Sequence, residues 1–178
     1  MNLPPVVSVV GKSGSGKTVF LEKLIAVLKE RGIRVGIIKH HPHGFEIDHP
    51  GKDSWRHARA GSDTVVLSSP GKVAVVRNLE EEMSIDGIVS AYLRDVDLAI
   101  TEGYKTGPKK KIEVSRRERS QELVSPPEDL MAIVSDQRFD LLTPHFGLDD
   151  AEGVADLLEQ QLLHADRASA EDDTTNSL

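Results

Sequence analysis

The run Gly11-Lys12-Ser13-Gly14-Ser15-Gly16-Lys17-Thr18 fits G-x-x-x-x-G-K-[ST] at every fixed position. Each residue type answers a need of phosphate chemistry. Glycines let the chain curl so that successive N–H groups point inward at phosphate oxygens. A following helix adds its positive N-terminus, Lys17 reaches the β and γ phosphates, and the Thr18 hydroxyl is placed to ligate Mg²⁺. From average residue usage, the pattern arises by chance in well under ~1% of chains this long. Such a loop, the Walker A element, needs a carboxylate near the metal at the end of a neighbouring strand. Glu102 ends the apolar strand DLAIT, and Asp48 and Asp53 follow the second strand. Glu102 and Asp48 are the favoured metal ligands beside Thr18, and Asp53 reads mainly as a helix cap.

Other marks of a guanine nucleotide site are weaker. Asp48-His49-Pro50-Gly51 fits D-x-x-G, but so does Asp150-Ala151-Glu152-Gly153 inside an expected helix. The N-K-x-D guanine reader is absent. Asp136, after the strand MAIV, is placed either against a guanine amino edge or in a strand-ending turn. Four of the seven histidines fall between Lys39 and His49, and His57 is close by. Three readings stand: a Zn²⁺-like metal site, an anion-facing loop in which Lys39 and a histidine contact phosphate, or a solvated loop. From Lys105 to Arg119, Lys105, Lys109, Lys110, Lys111, Arg116, Arg117 and Arg119 face only Glu113 and Glu118, a net +5. This stretch is either a solvated edge or a site for a phosphorylated ligand or an acidic partner.

Elements must position these groups. Val6–Val10 is apolar on both faces apart from Ser8, the pattern of a strand covered on both sides in a parallel sheet. Leu21, Leu24, Ile25 and Leu28 repeat at helical spacing from Lys17 to Arg31, and Gly32 offers a stop. Val35–Ile38 is a second buried strand, so strand, loop, helix and strand make a right-handed βαβ unit. The expected class is α/β, a P-loop NTPase-like three-layer fold with a mainly parallel sheet. A short helix capped by Asp53 or Ser54 comes next. Thr64–Leu67 and Lys72–Val76 flank Ser69-Pro70-Gly71 as a hairpin that would add antiparallel strands to the sheet. Ser84 caps a helix whose apolar face is Ile85, Ile88, Val89, Tyr92 and Leu93. Asp97–Thr101 is a strand, Ile112–Val114 an edge candidate and Met131–Val134 a central strand. A last helix runs from about Asp150 to Leu163 with Asp149 or Asp150 as cap.

The chain has 178 residues and a net charge of −7, with 38% hydrophobic and 29% charged residues. One domain over residues 1–163 is expected, followed by a disordered acidic tail over 164–178. With no cysteine there is no disulfide, thiolate metal site or cysteine nucleophile. The acidic balance argues against coating nucleic acid. No apolar run nears the roughly 18 residues of a bilayer span, and residues 1–5 lack a signal-peptide pattern, so a cytoplasmic protein is expected.

Taken together, VVSVVGKSGSGKT, IIKHHPHGFEIDHPGKDSWRHARAG, DLAITEGYKTGPKKKIEV and MAIVSD resemble the molybdopterin-guanine dinucleotide biosynthesis protein B family, the MobB adapters. The likeness runs from about Val6 to Leu163. H-x-x-x-x-x-x-D-x-P-G-K-D-S and E-G-x-K carry more of it than the phosphate loop does. The resemblance implies GTP binding with Mg²⁺, at most slow GTP hydrolysis and a homodimer. It also implies help to the partner molybdenum cofactor guanylyltransferase, which joins GMP to molybdopterin. It maps the nucleotide loop onto Gly11–Thr18, the acidic position onto Asp48 and E-G-x-K onto Glu102–Lys105. The alternative from a different class is a small-molecule kinase in which Arg116, Arg117 and Arg119 bind the transferred phosphoryl group.

Overall fold

The computed structural model describes residues 3–163; the expected tail lies outside them. Two compact units form. One takes the chain up to His40 and resumes at Val89, and the other is His41–Ile88.

The first unit is built on a six-stranded sheet in the order β2-β5-β1-β6-β7-β8. Its strands are β1 (Val6–Val10), β2 (Val35–Lys39), β5 (Leu98–Glu102), β6 (Lys111–Ser115), β7 (Leu130–Ser135) and β8 (His145–Phe146). Every pairing is parallel, as the apolar runs of β1, β5 and β7 require of strands covered on both faces. Helix α1 (Lys17–Glu30) connects β1 to β2, and Gly32 follows it at φ 77. This left-handed turn is one that glycine takes without a Cβ clash.

Helix α4 (Ala151–Leu158) runs on into a π-helical stretch, Glu159–Leu163, and packs against α1. Leu24 and Leu28 of α1, Val154 and Leu158 of α4, and Val7, Val9, Ile100, Ile112 and Val134 of the sheet share one core and are fully buried. Side chains of this size each contribute about 1.5–3 kcal/mol on burial. The two helices are also stitched at their surface. Arg31 bonds Glu152, Asp156 and Glu159, which together raise its already high pKa, and Lys23 meets Asp149 at 2.5 Å.

Two expectations for this unit change. Ile112–Val114 is no edge: β6 lies between β1 and β7, with all five residues buried. Its charges are reconciled by local partners. Lys111, 1% exposed, donates to Asp129 Oδ2 at 2.5 Å and to the Gly107 carbonyl at 3.0 Å. Glu113, also 1% exposed, accepts from the backbone N–H groups of Val124 and Ser125 at 2.6 and 2.9 Å. A buried charge is tolerated when it is paired and hydrogen-bonded in this way. Lys111 therefore leaves the expected basic surface. The two-residue β8 was not anticipated, being too short to carry a periodic signal.

The second unit holds α2 (Asp53–Arg59) and the hairpin of β3 (Thr64–Ser69) and β4 (Lys72–Arg77). The hairpin forms its own two-stranded antiparallel sheet and does not extend the main one. Neither Asp53 nor Ser54 caps α2. The cap position is Lys52, with no side-chain bond, and Ser54 donates to Asp48 Oδ2 at 2.8 Å. Helix α3 (Ile85–Tyr92) begins here, its Gly87 N–H bonded to Ser84 Oγ at 3.1 Å as the expected cap. Tyr92, expected on the buried face, is 47% exposed.

Candidate functional site

The parallel register brings the chemistry-bearing residues of the first unit to the C-terminal ends of β1, β2 and β5. β5 pairs with β1 and β2, setting Glu102 opposite both Val9 and Lys39. Buried bonding fixes this register. Thr101 Oγ1 donates to Ser8 Oγ at 2.9 Å between the two strands, and the His40 N–H donates to the Glu102 carbonyl at 2.9 Å.

The loop from Gly11 to Gly16 bends back on itself because three glycines hold positive φ: Gly11 at 144, Gly14 at 74 and Gly16 at 92. At Gly11 a Cβ would run into the Val114 carbonyl oxygen of β6, so only glycine lets the loop lie this close to the sheet. Gly16 precedes α1, which starts with no side-chain cap and no acidic residue in its first turn. The first N–H groups of a helix need partners from outside it, and here the chain supplies none from a side chain. Ser15 is 1% exposed, and its Oγ has no hydrogen-bond partner.

Lys17 folds over the loop, donating to the carbonyls of Gly11 at 3.1 Å and Lys12 at 2.9 Å. Burial, the largest influence, lowers its pKa. Lys105 and Lys39 push the same way, against Glu102 and Glu113. The Thr18 hydroxyl donates to Glu102 Oε1 at 3.1 Å, and Lys39 Nζ stands 3.6 Å from Glu102 Oε2. Ser13, Gly14, Gly16, Lys17, Thr18 and Glu102 border a cavity of about 320 Å³, at the lower end of the range for small-molecule sites.

A glycine cradle, an uncapped helix start, an orphan buried hydroxyl and an ammonium bonded only to its own loop fit a polyphosphate anion. A hydroxyl paired with a carboxylate fits a hard divalent cation.

Of the expected site residues, Gly11–Thr18, Lys39 and Glu102 gather at this cavity and its rim. Asp136 stands at the end of β7, where its Oδ1 accepts from the Arg117 N–H at 2.8 Å. Asp48 belongs to the second unit. Its Oδ1 accepts from the His49 N–H at 2.6 Å and its Oδ2 from Ser54 Oγ, and these two bonds hold its pKa below the usual carboxylate range. In the first unit the His40 ring stacks on Tyr104 with centroids 4.5 Å apart. Among the described residues no three His, Asp or Glu side chains are grouped as a metal site.

The family described as molybdopterin guanine dinucleotide synthesis protein B, MobB, matches residues 6–136, from the first residue of β1 through Asp136. This chain belongs to the MobB family. It is 35% identical over 164 residues to the molybdopterin-guanine dinucleotide biosynthesis adapter protein of Haemophilus influenzae, covering 92% of each chain. It is 34% identical over 160 residues to the adapter protein of Escherichia coli, covering 86% of this chain and 91% of that one. Among solved structures, a molybdopterin-guanine biosynthesis protein B superposes with a TM-score of 0.70 at 33% identity, covering 88% of this chain and 99% of that one. Bacillus subtilis MobB gives 0.72 at 29% identity, covering 89% and 98%. The MobB match includes the phosphate loop, Glu102 and the Arg116–Arg119 turn.

That turn is what reading the sequence missed about the loop's surroundings. Arg116, Arg117 and Arg119 were grouped with Lys109, Lys110 and Lys111 as one basic stretch, and only the kinase alternative separated them. In the fold they part company. Lys111 is in the core, Lys110 reaches the Glu128 carbonyl at 2.9 Å, and Arg116 and Arg119 lie against the glycines of the phosphate loop. Their place directly after β6, the strand beside β1, was the available signal, but it needed the strand order.

Proposed function

We propose that this MobB-family protein binds GTP with Mg²⁺ at Gly11–Thr18 and, as a cytoplasmic homodimer, assists the molybdenum cofactor guanylyltransferase that attaches GMP to molybdopterin. The carrying observation is the cradle itself: positive-φ glycines, the unbonded Ser15 hydroxyl and Lys17 at the uncapped start of α1.

Thr18 and Glu102 would hold Mg²⁺. The ion would neutralise charge on the β and γ phosphates. Lys17 and Lys39 neutralise the rest, and the free oxygen of Asp136 is offered to the guanine edge. Hydrolysis is expected to be slow, because no water-positioning glutamine is recognisable by the phosphate loop; such a group can be worth orders of magnitude in rate.

The homodimer draws support from the β3–β4 ribbon. It exposes Val66 (58%), Val73 (62%) and Val75 (46%) on one side of a two-stranded sheet, an arrangement marginal in water without a covering partner. No helix of the described residues is long and apolar enough to cross a membrane. The small-molecule kinase reading gains no better support from the fold, and the family relationship favours the adapter.

The test joins two measurements. Calorimetry should give magnesium-dependent GTP binding, tighter than ATP, that Lys17→Ala weakens by ~1.5–3 kcal/mol through loss of a charge-assisted phosphate contact. GMP transfer to molybdopterin by the purified guanylyltransferase should rise when this protein is added, while phosphate release by this protein alone stays slow. Equal GTP binding by the wild type and Lys17→Ala, or no effect on the transferase, would overturn the reading.

A further inference from the structure

Two guanidinium groups sit where the side chains of the phosphate loop's glycines would be. A Cβ placed on Gly16 would lie 3.1 Å from Arg116 Nε, and one placed on Gly14 would lie 3.3 Å from Arg119 Nε. Both arginines belong to the turn that follows β6. The N–H groups of Arg119 and Ser120 return to the Arg116 carbonyl at 2.9 and 3.0 Å, closing a turn that carries Arg116 and Arg119 three residues apart.

The turn is pinned from β7. Asp136 Oδ1 accepts from the Arg117 N–H at 2.8 Å, and Gln137 Nε2 donates to the Ser120 carbonyl at 2.7 Å and to Ser115 Oγ at 3.4 Å. Neither guanidinium has a hydrogen-bond or ion-pair partner among the described residues. Asp149 feels the charge of Arg116, but that carboxylate is already bonded to Lys23 at 2.5 Å.

Two forked cations thus lie beside Gly14 and Gly16 of an anion cradle, whose buried Ser15 hydroxyl also has no partner. Guanidinium groups held beside the loop with no hydrogen-bond or ion-pair partner among the described residues keep their donors open, and a polyphosphate would take them up in charge-assisted, forked bonds. We infer that Arg116 and Arg119 are ligands of the nucleotide's phosphate chain, supplied by the same chain as the phosphate loop, and that Asp136 and Gln137 act as positioning residues for them. This rests on the nucleotide reading above and adds to it a second wall, made by the β6–β7 connection. It also divides the basic stretch: Arg116 and Arg119 serve the ligand, while Lys111 serves the fold.

The experiment uses the full chain and two probes, GTP–Mg²⁺ and inorganic triphosphate, the second having no base to be read. Arg116→Gln and Arg119→Gln should each weaken both probes about tenfold or more, in line with loss of a charge-assisted bond, and the double variant further. Arg116→Lys should recover part of the loss, since it restores charge without the planar fork. The paired variants should also show a shallower dependence of affinity on salt. Arg94→Gln, which removes one charge from a residue bonded to Ser90, should bind like the wild type. Melting temperatures of the Arg116 and Arg119 variants should agree with that of the wild type within about 2 °C, as expected for side chains without a partner among the described residues.

Asp136→Ala should weaken inorganic triphosphate severalfold, which a residue that only reads the base would not do. If the wild type binds both probes, Lys17→Ala loses them and the arginine variants bind normally, the inference falls and the nucleotide reading stands. If triphosphate binds in an arginine-dependent way but GTP does not bind, the inference stands and the guanine reading falls. Binding of neither probe by the wild type overturns both.

Discussion

Helices α1 and α4 pack against each other and share one core, yet their N-termini are finished in opposite ways. At α4, Asp150 accepts from the Gly153 N–H at 2.9 Å and Glu152 lies in the first turn, so the chain supplies both a cap and negative charge for the positive end of the helix. At α1 the cap residue is Gly16, no side chain closes the turn, no acid stands in it, and the nearby groups include Lys17, Arg116 and Arg119. A structural helix end is neutralised from within the chain. An end left without a cap or an acid in its own first turn leaves its amides open to a partner from outside the helix. The contrast separates ligand geometry from folding geometry within the first unit, and it makes opposite demands on substitutions at the two ends.

The largest effect is expected at Gly11. A methyl group there meets the Val114 backbone and forces alanine into φ 144. Gly11→Ala should therefore cost on the order of 2–4 kcal/mol, from backbone strain and overpacking together. Urea denaturation followed by circular dichroism would measure it. A loss below about 1 kcal/mol would mean that the loop relaxes freely and that its closeness to β6 is not a constraint.

Next is Glu102→Gln, which keeps the shape at the end of β5 while removing the charge beside Thr18. Binding of GTP without magnesium should persist, and the magnesium-dependent gain should fall by ~1.5–3 kcal/mol, the scale of a lost charged contact. A gain that survives undiminished would mean that Glu102 is not a ligand of the metal.

How much of this was legible in the sequence follows from how local each feature is. The phosphate loop, α1 and its Gly32 stop, and the Ser84 cap depend on residues within a few positions of one another and are found where the spacing places them, and of the two candidates Asp149 and Asp150 it is Asp150 that caps α4. β6 depends on distant partners. Lys-Ile-Glu-Val-Ser alternates charge with apolar residues, the mark of a half-exposed strand. Its Lys111 and Glu113 are nevertheless buried, because Asp129 and the amides of Val124 and Ser125 come from the segment that follows. The hairpin shows the same division. Its turn and pairing are local and were read correctly, whereas its separation from the main sheet depends on tertiary arrangement that no local pattern encodes. The site reflects both cases: the loop is local, whereas the placing of Arg116 and Arg119 beside its glycines depends on β6 standing next to β1.

A smaller effect sharpens the contrast from the other end. Asp150→Ala should destabilise the protein by about 1 kcal/mol, the usual cost of losing such a cap, and should leave GTP affinity unchanged because α4's terminus serves no ligand. Thermal unfolding and calorimetry on the same variant would check both halves. A change in GTP affinity greater than threefold would show that the two helix ends are coupled through their shared packing.

The smallest effect is a dependence on pH that has the same sign but opposite origins at the two ends: folding favours the charged form of Asp149 and disfavours that of Lys17. Asp149, just before α4, has its pKa lowered first by its hydrogen bond from Lys23 and then by that residue's charge. Its contribution to stability is present above the unfolded carboxylate value and is lost as the pH falls through its folded value. Lys17, which opens α1, has its pKa lowered chiefly by burial. In the window between its folded value and the ordinary lysine value, the folded state binds fewer protons than the unfolded chain, so the stability of the free protein rises with pH there. A bound polyphosphate favours the ammonium and raises that pKa again. Nucleotide binding at alkaline pH should therefore take up a fraction of a proton, and affinity should fall as the pH rises through the free protein's Lys17 value. Calorimetry in buffers of different ionisation enthalpy would count that proton. Proton release on binding in this range, or uptake that persists unchanged in Lys17→Arg, would assign the titration to another group and remove Lys17 from direct contact with the phosphates.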